Sequence, residues 1–209
     1  MKKENERKSK AGLVFIIVFA IAFIGLLGYA IYEYIVSEKS IVRLGNYMTL
    51  SYTTTDRDQA ATEITDMLVE RSIFGGQVKK EAESRYKSAI EKYQGDAENL
   101  SMTFEQYLNT FFGTTEDAFR ESVKKAALQV IKEEAVLDAV ADREGIELTD
   151  TRYQFMLADY MEADGYTDID KYLEDYPEQQ LRAIMRRNLT IDWLLERATG
   201  PELPEKKSY

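Results

Sequence analysis

The chain divides into two regimes of hydrophobic patterning. From Ala11 to Tyr32 it reads AGLVFIIVFAIAFIGLLGYAIY, 22 residues without a charge. After Tyr32 no apolar run of that length recurs, and apolar residues return every three or four positions among charged ones, the spacing of amphipathic helices. At about 1.5 Å per residue the first regime makes a helix of roughly 33 Å, enough to cross a bilayer core of about 30 Å. The expected architecture is all-α: a transmembrane signal anchor over 11–36, a short extended linker, then an extended multi-helix body.

Stop signals divide the second regime. Residues 41–54, IVRLGNYMTLSYTT, are rich in β-branched and aromatic side chains and read as an extended segment with a turn at Gly45-Asn46. Asp56 is placed to cap a helix to about Ser72, with Ala60, Ile64, Met67 and Leu68 on one face. Gly75-Gly76 ends it and is a candidate hinge. Residues 41–76 are therefore expected to be a linker segment with a short strand and helix, and 77–199 the helical domain. Gln77–Tyr93 is a helix thin in apolar residues, followed by a loop from Gly95 to Leu100. Thr103 and Gln106 form a capping box for FEQYLNTFF, which Gly113 stops.

Thr114 opens the longest helix of the body, to about Glu144, with Phe119, Val123, Ala126, Val130, Leu137 and Val140 on a three-to-four step. Gly145 stops it. Thr149 or Asp150 caps a helix to about Asp164, and Asp168 opens a short one through Tyr176. Pro177 fits the first turn of the last helix, which carries Leu181, Ile184, Met185, Ile191, Leu194 and Leu195. Residues 200–209, GPELPEKKSY, are expected to be a disordered tail.

Charge sets the expected orientation. Lys2, Lys3, Arg7, Lys8 and Lys10 precede the apolar run, whereas Lys39 and Arg43 follow it beside Glu33 and Glu38. The positive-inside rule then makes 1–10 a cytoplasmic basic tail and places the body outside, as a single-pass cell-membrane protein. A cleaved signal peptide competes, with Gly28-Tyr29-Ala30 as a passable cleavage sequence. Its apolar stretch would be about 7–15 residues, so the length here favours an uncleaved anchor. Residues 41–209 carry 21 basic and 33 acidic side chains, which argues against nucleic acid as a partner and against a body lying flat on an anionic membrane.

The chain has no cysteine and no histidine, which removes disulfides, the usual triad base and the commonest metal ligand. Ser84, Ser88 and Ser122 lie near lysines, but such pairs on exposed helices read as solvated surface. Asp164, Asp168, Asp170, Glu174 and Asp175 lack EF-hand spacing and read as helix caps and an acidic face. No phosphate-binding loop is present. No catalytic residue, metal or cofactor is expected, and the chain is not expected to be an enzyme.

Aromatics and methionines carry more information. Phe104, Tyr107, Phe111 and Phe112 crowd one short helix, and Tyr153, Phe155, Met156, Tyr160 and Met161 another. Flexible methionines and flat aromatics make adaptable apolar surfaces for varied partners. Tyr107, Phe111, Phe112, Tyr153, Met156 and Tyr160 are the candidate client-binding residues, expected to line a concave surface partly exposed. The competing reading is that the two sets pack against each other as core.

The stretches ESRYKSAIEKY, MTFEQYLNTFFGTTEDAFRESVKKAALQVIKEEAVLDAVADREGIELTD and YMEADGYTDIDKYLEDYPEQQLRAIMRRNLTIDWLLERA resemble, in this order, the C-terminal chaperone region of trigger factor, and are similar to the helical domain of SurA-type chaperones. LGNYMTL and the helix opening at Asp56 resemble trigger factor's lead-in to its isomerase domain. The FKBP-type domain that should follow that helix is missing, and a membrane anchor stands in place of the ribosome-binding domain. Prolyl isomerase activity and ribosome docking are therefore not carried over. The resemblance implies a helical arm-and-cradle that holds unfolded or newly exported polypeptides through apolar patches without ATP, with the export machinery as a candidate partner. The alternative is an adaptor subunit of a membrane complex with one dedicated partner.

Overall fold

Side-chain caps set most helix starts. The computed structural model describes Val36 and residues 38–204; the basic tail, the apolar run and residues 205–209 lie outside the described residues, and with them the anchor and signal-peptide readings. Among the described residues are seven α-helices and one two-stranded sheet, and no helix is long and apolar enough to cross a membrane. The Asp56 carboxylate accepts from Gln59 N–H and opens α1 (Arg57–Arg71). β2 (Ile73–Phe74) pairs antiparallel with β1 (Ile41–Arg43), Ile41 opposite Phe74 and Arg43 opposite Ile73.

Helix α2 (Gly76–Asn99) is longer than its sequence suggests and runs through Gly95. Glycine costs a helix about 1 kcal/mol. The last turn nevertheless closes on the buried Ala97, whose carbonyl accepts from Met102 N–H at 3.0 Å while Glu98 accepts from Ser101 at 2.9 Å. Ser101 takes a left-handed φ of 55° to make this stop. Both halves of the Thr103–Gln106 capping box form at the head of α3 (Phe104–Phe112), and Gly113 ends it at φ 62°. Helix α4 (Glu116–Glu144) is capped by Thr115 and stopped by Gly145 at φ 65°. Thr149 caps α5 (Asp150–Ala163), Asp168 caps α6 (Ile169–Asp175), and α7 (Glu178–Leu195) follows Pro177.

Four apolar clusters hold these elements, and α4 takes part in three of them. The largest joins Tyr47, Leu50, Ile64 and Leu68 to Val136 and Val140 of α4 and to Leu194 of α7. Residues 41–76 are thus part of the packed body rather than a passive linker. The Gly75-Gly76 hinge is also not free: Gly75 N–H donates to Ser40 O at 3.0 Å, and a Cβ there would collide with the Lys39 carbonyl oxygen. The tail is fixed at its start. Thr199 N–H donates to Leu50 O and Tyr52 N–H to Thr199 O, each at 3.0 Å, Tyr52 Oη donates to Pro201 O, and Leu203 packs on the cluster.

Along α4 Phe119, Leu137 and Val140 are buried as expected, but in the middle of the helix the buried stripe is offset by one residue. Ala127 and Ile131 are buried, whereas Val130 is exposed. The cause is the partner: Ile131 packs with Val78 and Ala82 of α2, which runs beside the middle of α4. Helix α7 bridges two clusters, with Leu194 and Leu195 in the largest and Leu181, Met185 and Leu189 against α5 and α6.

Candidate client-binding surface

Helix α3 lies at the end of the α2–α4 pair. It buries Leu108 with Ile90 and Phe119, and this one anchor leaves the other aromatics at the rim. Ring contacts link Phe111 to Tyr107 (4.9 Å), Tyr107 to Phe112 (5.9 Å), and Phe112 to Phe119 (5.2 Å) and Tyr93 (5.7 Å). Phe111 is 57% exposed and Phe112 46%, while Tyr107 is half-buried. The result is a contiguous aromatic tip. From Tyr93 to Phe119 the chain has five acids, Asp96, Glu98, Glu105, Glu116 and Asp117, and no base.

The second set behaves differently. Tyr153 and Met156 are buried among Leu157, Tyr172, Leu181 and Met185, so their expected exposure is corrected: the three-to-four step that picked them out is a core stripe. Tyr160 is half-buried and its hydroxyl accepts from Asn188 Nδ2 at 2.5 Å. The two sets belong to separate clusters and do not pack against each other. Helix α5 instead exposes Phe155, at 63%. Its position falls on the opposite side of the helix from Met156 and Leu157, an out-of-phase placing that was legible in the spacing.

Between the α2–α4 pair and α7 lies a cleft of about 630 Å³ lined by Arg85, Glu134, Gln179, Gln180, Ile184 and Arg187. Ile184, one of the apolar residues the last helix carries, is exposed there. Arg85 grips Glu134 with both ends of its guanidinium, at 2.7 and 3.1 Å. Arg187 reaches Glu134 at 3.1 Å and forks onto Asp138 at 2.9 and 2.7 Å. Burial works against the Arg187 charge, but hydrogen bonding to Asp138 and the charge of Asp138 and Glu134 win, raising its pKa further. Glu134 and Arg187 also line a second hollow of about 360 Å³.

The acidic cluster serves structure. Asp168 caps α6, Asp164 accepts from Tyr172 Oη at 2.9 Å, and Asp175 from Tyr166 Oη at 2.7 Å. Burial first, and then the Asp164 bond, push the Tyr172 phenol up; the Asp175 bond carries Tyr166 to about 12. Among the described residues no group of three or more acidic side chains is arranged to hold a metal ion. Ser84, Ser88 and Ser122 are exposed on helix faces.

Fold and surface together define an extended helical scaffold that keeps apolar side chains in the open. The chain belongs to the family described as the bacterial trigger factor protein C-terminus, whose model matches residues 58–196. It is 32% identical over 111 residues to trigger factor of Carboxydothermus hydrogenoformans, covering 52% of this chain and 26% of that one. To trigger factor of Geobacter sp. (strain M21) it is 30% identical over 98 residues, 44% of this chain and 22% of that one. It thus spans about a quarter of the length of the curated relatives it matches. A solved structure from work on the domains of trigger factor from Thermotoga maritima shares the fold, with a TM-score of 0.52 at 20% identity over 69% of this chain and 84% of that one.

Proposed function

We propose that this chain is an ATP-independent holding chaperone, tethered by residues 11–36 with its body on the extracytoplasmic face, where it catches unfolded or newly exported polypeptides. The observation that carries the reading is the aromatic tip: Phe111 and Phe112 stay about half exposed although Leu108 beside them is fully buried. A client covering such a ring gains about 25 cal/mol per Å² of apolar area, so each contact is weak and reversible. The acidic rim favours basic or amphipathic clients and discourages self-association. Family membership supports the chaperone role, since the matched region is the C-terminal part of trigger factor rather than its isomerase domain.

The exposed apolar residues are spread over the tip, the cleft at Ile184 and the back of α5 at Phe155. Dispersed patches suit varied clients better than the dedicated partner of an adaptor subunit, which would call for one flat contiguous patch. The test is suppression of aggregation of a denatured model protein by the full chain in nanodiscs, with empty nanodiscs as control. No suppression at excess chain overturns the chaperone reading. Protease added to intact spheroplasts should remove the body and leave a protected N-terminal stub; a body protected until lysis overturns the orientation. Acceleration of prolyl peptide isomerisation would revive a catalytic role.

A further inference from the structure

The charge of this acidic chain is segregated along the body. Around the β1–β2 sheet, residues 38–48 and 70–81 hold five bases, Lys39, Arg43, Arg71, Lys79 and Lys80, against Glu38, Glu70 and Glu81. All five bases are exposed. Lys80 pairs with Glu38 at 2.8 Å, and Arg71 donates to the neutral carbonyls of Asn46 and Thr49, which leaves its charge uncancelled. These segments are joined in space: Arg43 stands opposite Ile73, and Gln77 N–H donates to Lys39 O. The N-terminus of α2 opens here without a side-chain cap or an acid in its first turn, so its positive dipole end adds to the field. Within this basic surround two apolar side chains are exposed, Met48 at 58% and Ile73 at 46%.

The other end is the reverse. The tip at the far end of α2, roughly 36 Å away at about 1.5 Å per residue, has its five acids against one base, Arg120, which lies over the Phe104 ring and pairs with Glu116 at 2.7 Å. Residues 147–178 hold ten acids and two bases. The basic end is also where the chain arrives from its apolar run: eight residues separate Tyr32 from Ile41, a reach of at most about 30 Å. Attraction to a charged surface acts over a Debye length of about 8–10 Å, and so short a connection keeps the basic end within range.

We infer that the β1–β2 end is a membrane-docking surface: its bases settle on anionic lipid headgroups, Ile73 and Met48 enter the interface, and the aromatic tip is held outward. The inference rests on the membrane-tether reading above. It makes the body stand on the bilayer by one end, with the acidic lobes repelled from it, rather than lie flat.

The absence of cysteine from the chain allows a single label in an Ile73→Cys variant, with Phe155→Cys as control. The full chain is reconstituted in phosphatidylcholine vesicles with or without phosphatidylglycerol, and quenching by a nitroxide-headgroup lipid is measured. The label at position 73 should be quenched several-fold more than that at 155, and only when phosphatidylglycerol is present. One basic side chain near an anionic surface shifts such an equilibrium about fivefold, so Arg43→Glu with Lys79→Glu should cut docking by about twentyfold or more. High salt should release the label in the protein without those reversals, which gives a readout independent of how the double variant folds. Equal quenching at the two positions overturns the inference. Quenching that ignores lipid charge but rises with protein density assigns the surface to a second copy and also overturns it. Loss of the chain on alkaline carbonate extraction removes the tether and the docking together, whereas retention with a remote position 73 removes the docking alone.

Discussion

Replacing Phe111 by serine separates a client surface from a core. Phe111 is 57% exposed and its ring meets Tyr107 at 4.9 Å. A fully buried phenylalanine truncated to alanine costs about 3–5 kcal/mol; with less than half of that burial, Phe111→Ser should cost about 1–2 kcal/mol. In a chain of this size about 1 kcal/mol moves the melting temperature by about 2–4 °C, so the shift should stay below about 8 °C. Leu108 is the internal contrast, because it is fully buried on the same helix. Leu108→Ala should cost about 3–4 kcal/mol and melt much earlier. For client binding the order reverses. The exposed part of a phenylalanine ring, on the order of 100 Å², is worth about 2 kcal/mol when covered, or about thirtyfold in affinity at that contact. Aggregation of a denatured model protein is titrated with each variant, below its melting temperature as judged by circular dichroism. Phe111→Ser should need a markedly higher concentration for half suppression, and Leu108→Ala close to the original one. If Phe111→Ser suppresses aggregation as well as the parent, or if loss of suppression simply follows loss of stability across both variants, the client-surface assignment fails.

The Tyr153 hydroxyl is buried without a hydrogen-bond partner, so Tyr153→Phe should be neutral or stabilising by up to about 1 kcal/mol in urea unfolding, while Tyr172→Phe, which loses its bond to Asp164, should cost about 1 kcal/mol. Arg187→Met removes the bridge from α7 to Glu134 and Asp138 and should cost about 2–3 kcal/mol; Arg187→Lys should recover only part, because an ammonium cannot reproduce the planar fork on Asp138. The phenols of Tyr166 and Tyr172 are held above the ordinary value of 10.0 in the folded chain, Tyr166 at about 12, so the folded state keeps protons that the unfolded state releases. Their stabilisation is complete below pH 10 and lost as pH rises from there toward 12; urea midpoints should fall over that window, and Tyr166→Phe should flatten its share of the fall.

Helix starts and stops were legible because they are local. Thr103 with Gln106, Asp56, Gly113 and Gly145 act where they stand in the chain, through hydrogen bonds to residues a few positions away. The end of α2 was less so, because its stop is Ser101 in a left-handed conformation rather than the nearby Gly95. Residues 41–54 hid their role for a different reason. Nothing near Leu50 or Tyr52 in sequence announces that both will pair with Thr199, nor that Tyr47 will sit beneath Trp193 and donate to Glu144 at 2.5 Å. Those contacts join the first and last parts of the described chain, and local patterning carries no information about them.

The client surface shows the same division more sharply. Periodicity states which side chains share a face of a helix, but not which face a neighbour covers. On α5 the well-phased Tyr153 and Met156 found a partner in α6 and α7, and the unmatched Phe155 was left outside. On α3 the outcome followed from crowding. A helix of nine residues laid across the end of a two-helix arm has one supporting side, and Leu108, Phe104 and Tyr107 occupy it. Phe111 and Phe112 follow Tyr107 and Leu108 by one helical turn; Phe112 meets Tyr93 and Phe119, Phe111 meets Tyr107, and each ring stays about half exposed. The capping box at one end and the left-handed Gly113 at the other hold the helix to nine residues, and Leu108 packed on Ile90 and Phe119 sets which side is buried. Exposure of the aromatic tip is therefore built into the geometry of a short, firmly capped helix carrying more rings than it has side to bury, and it is this surplus that gives the arm something to offer an unfolded chain.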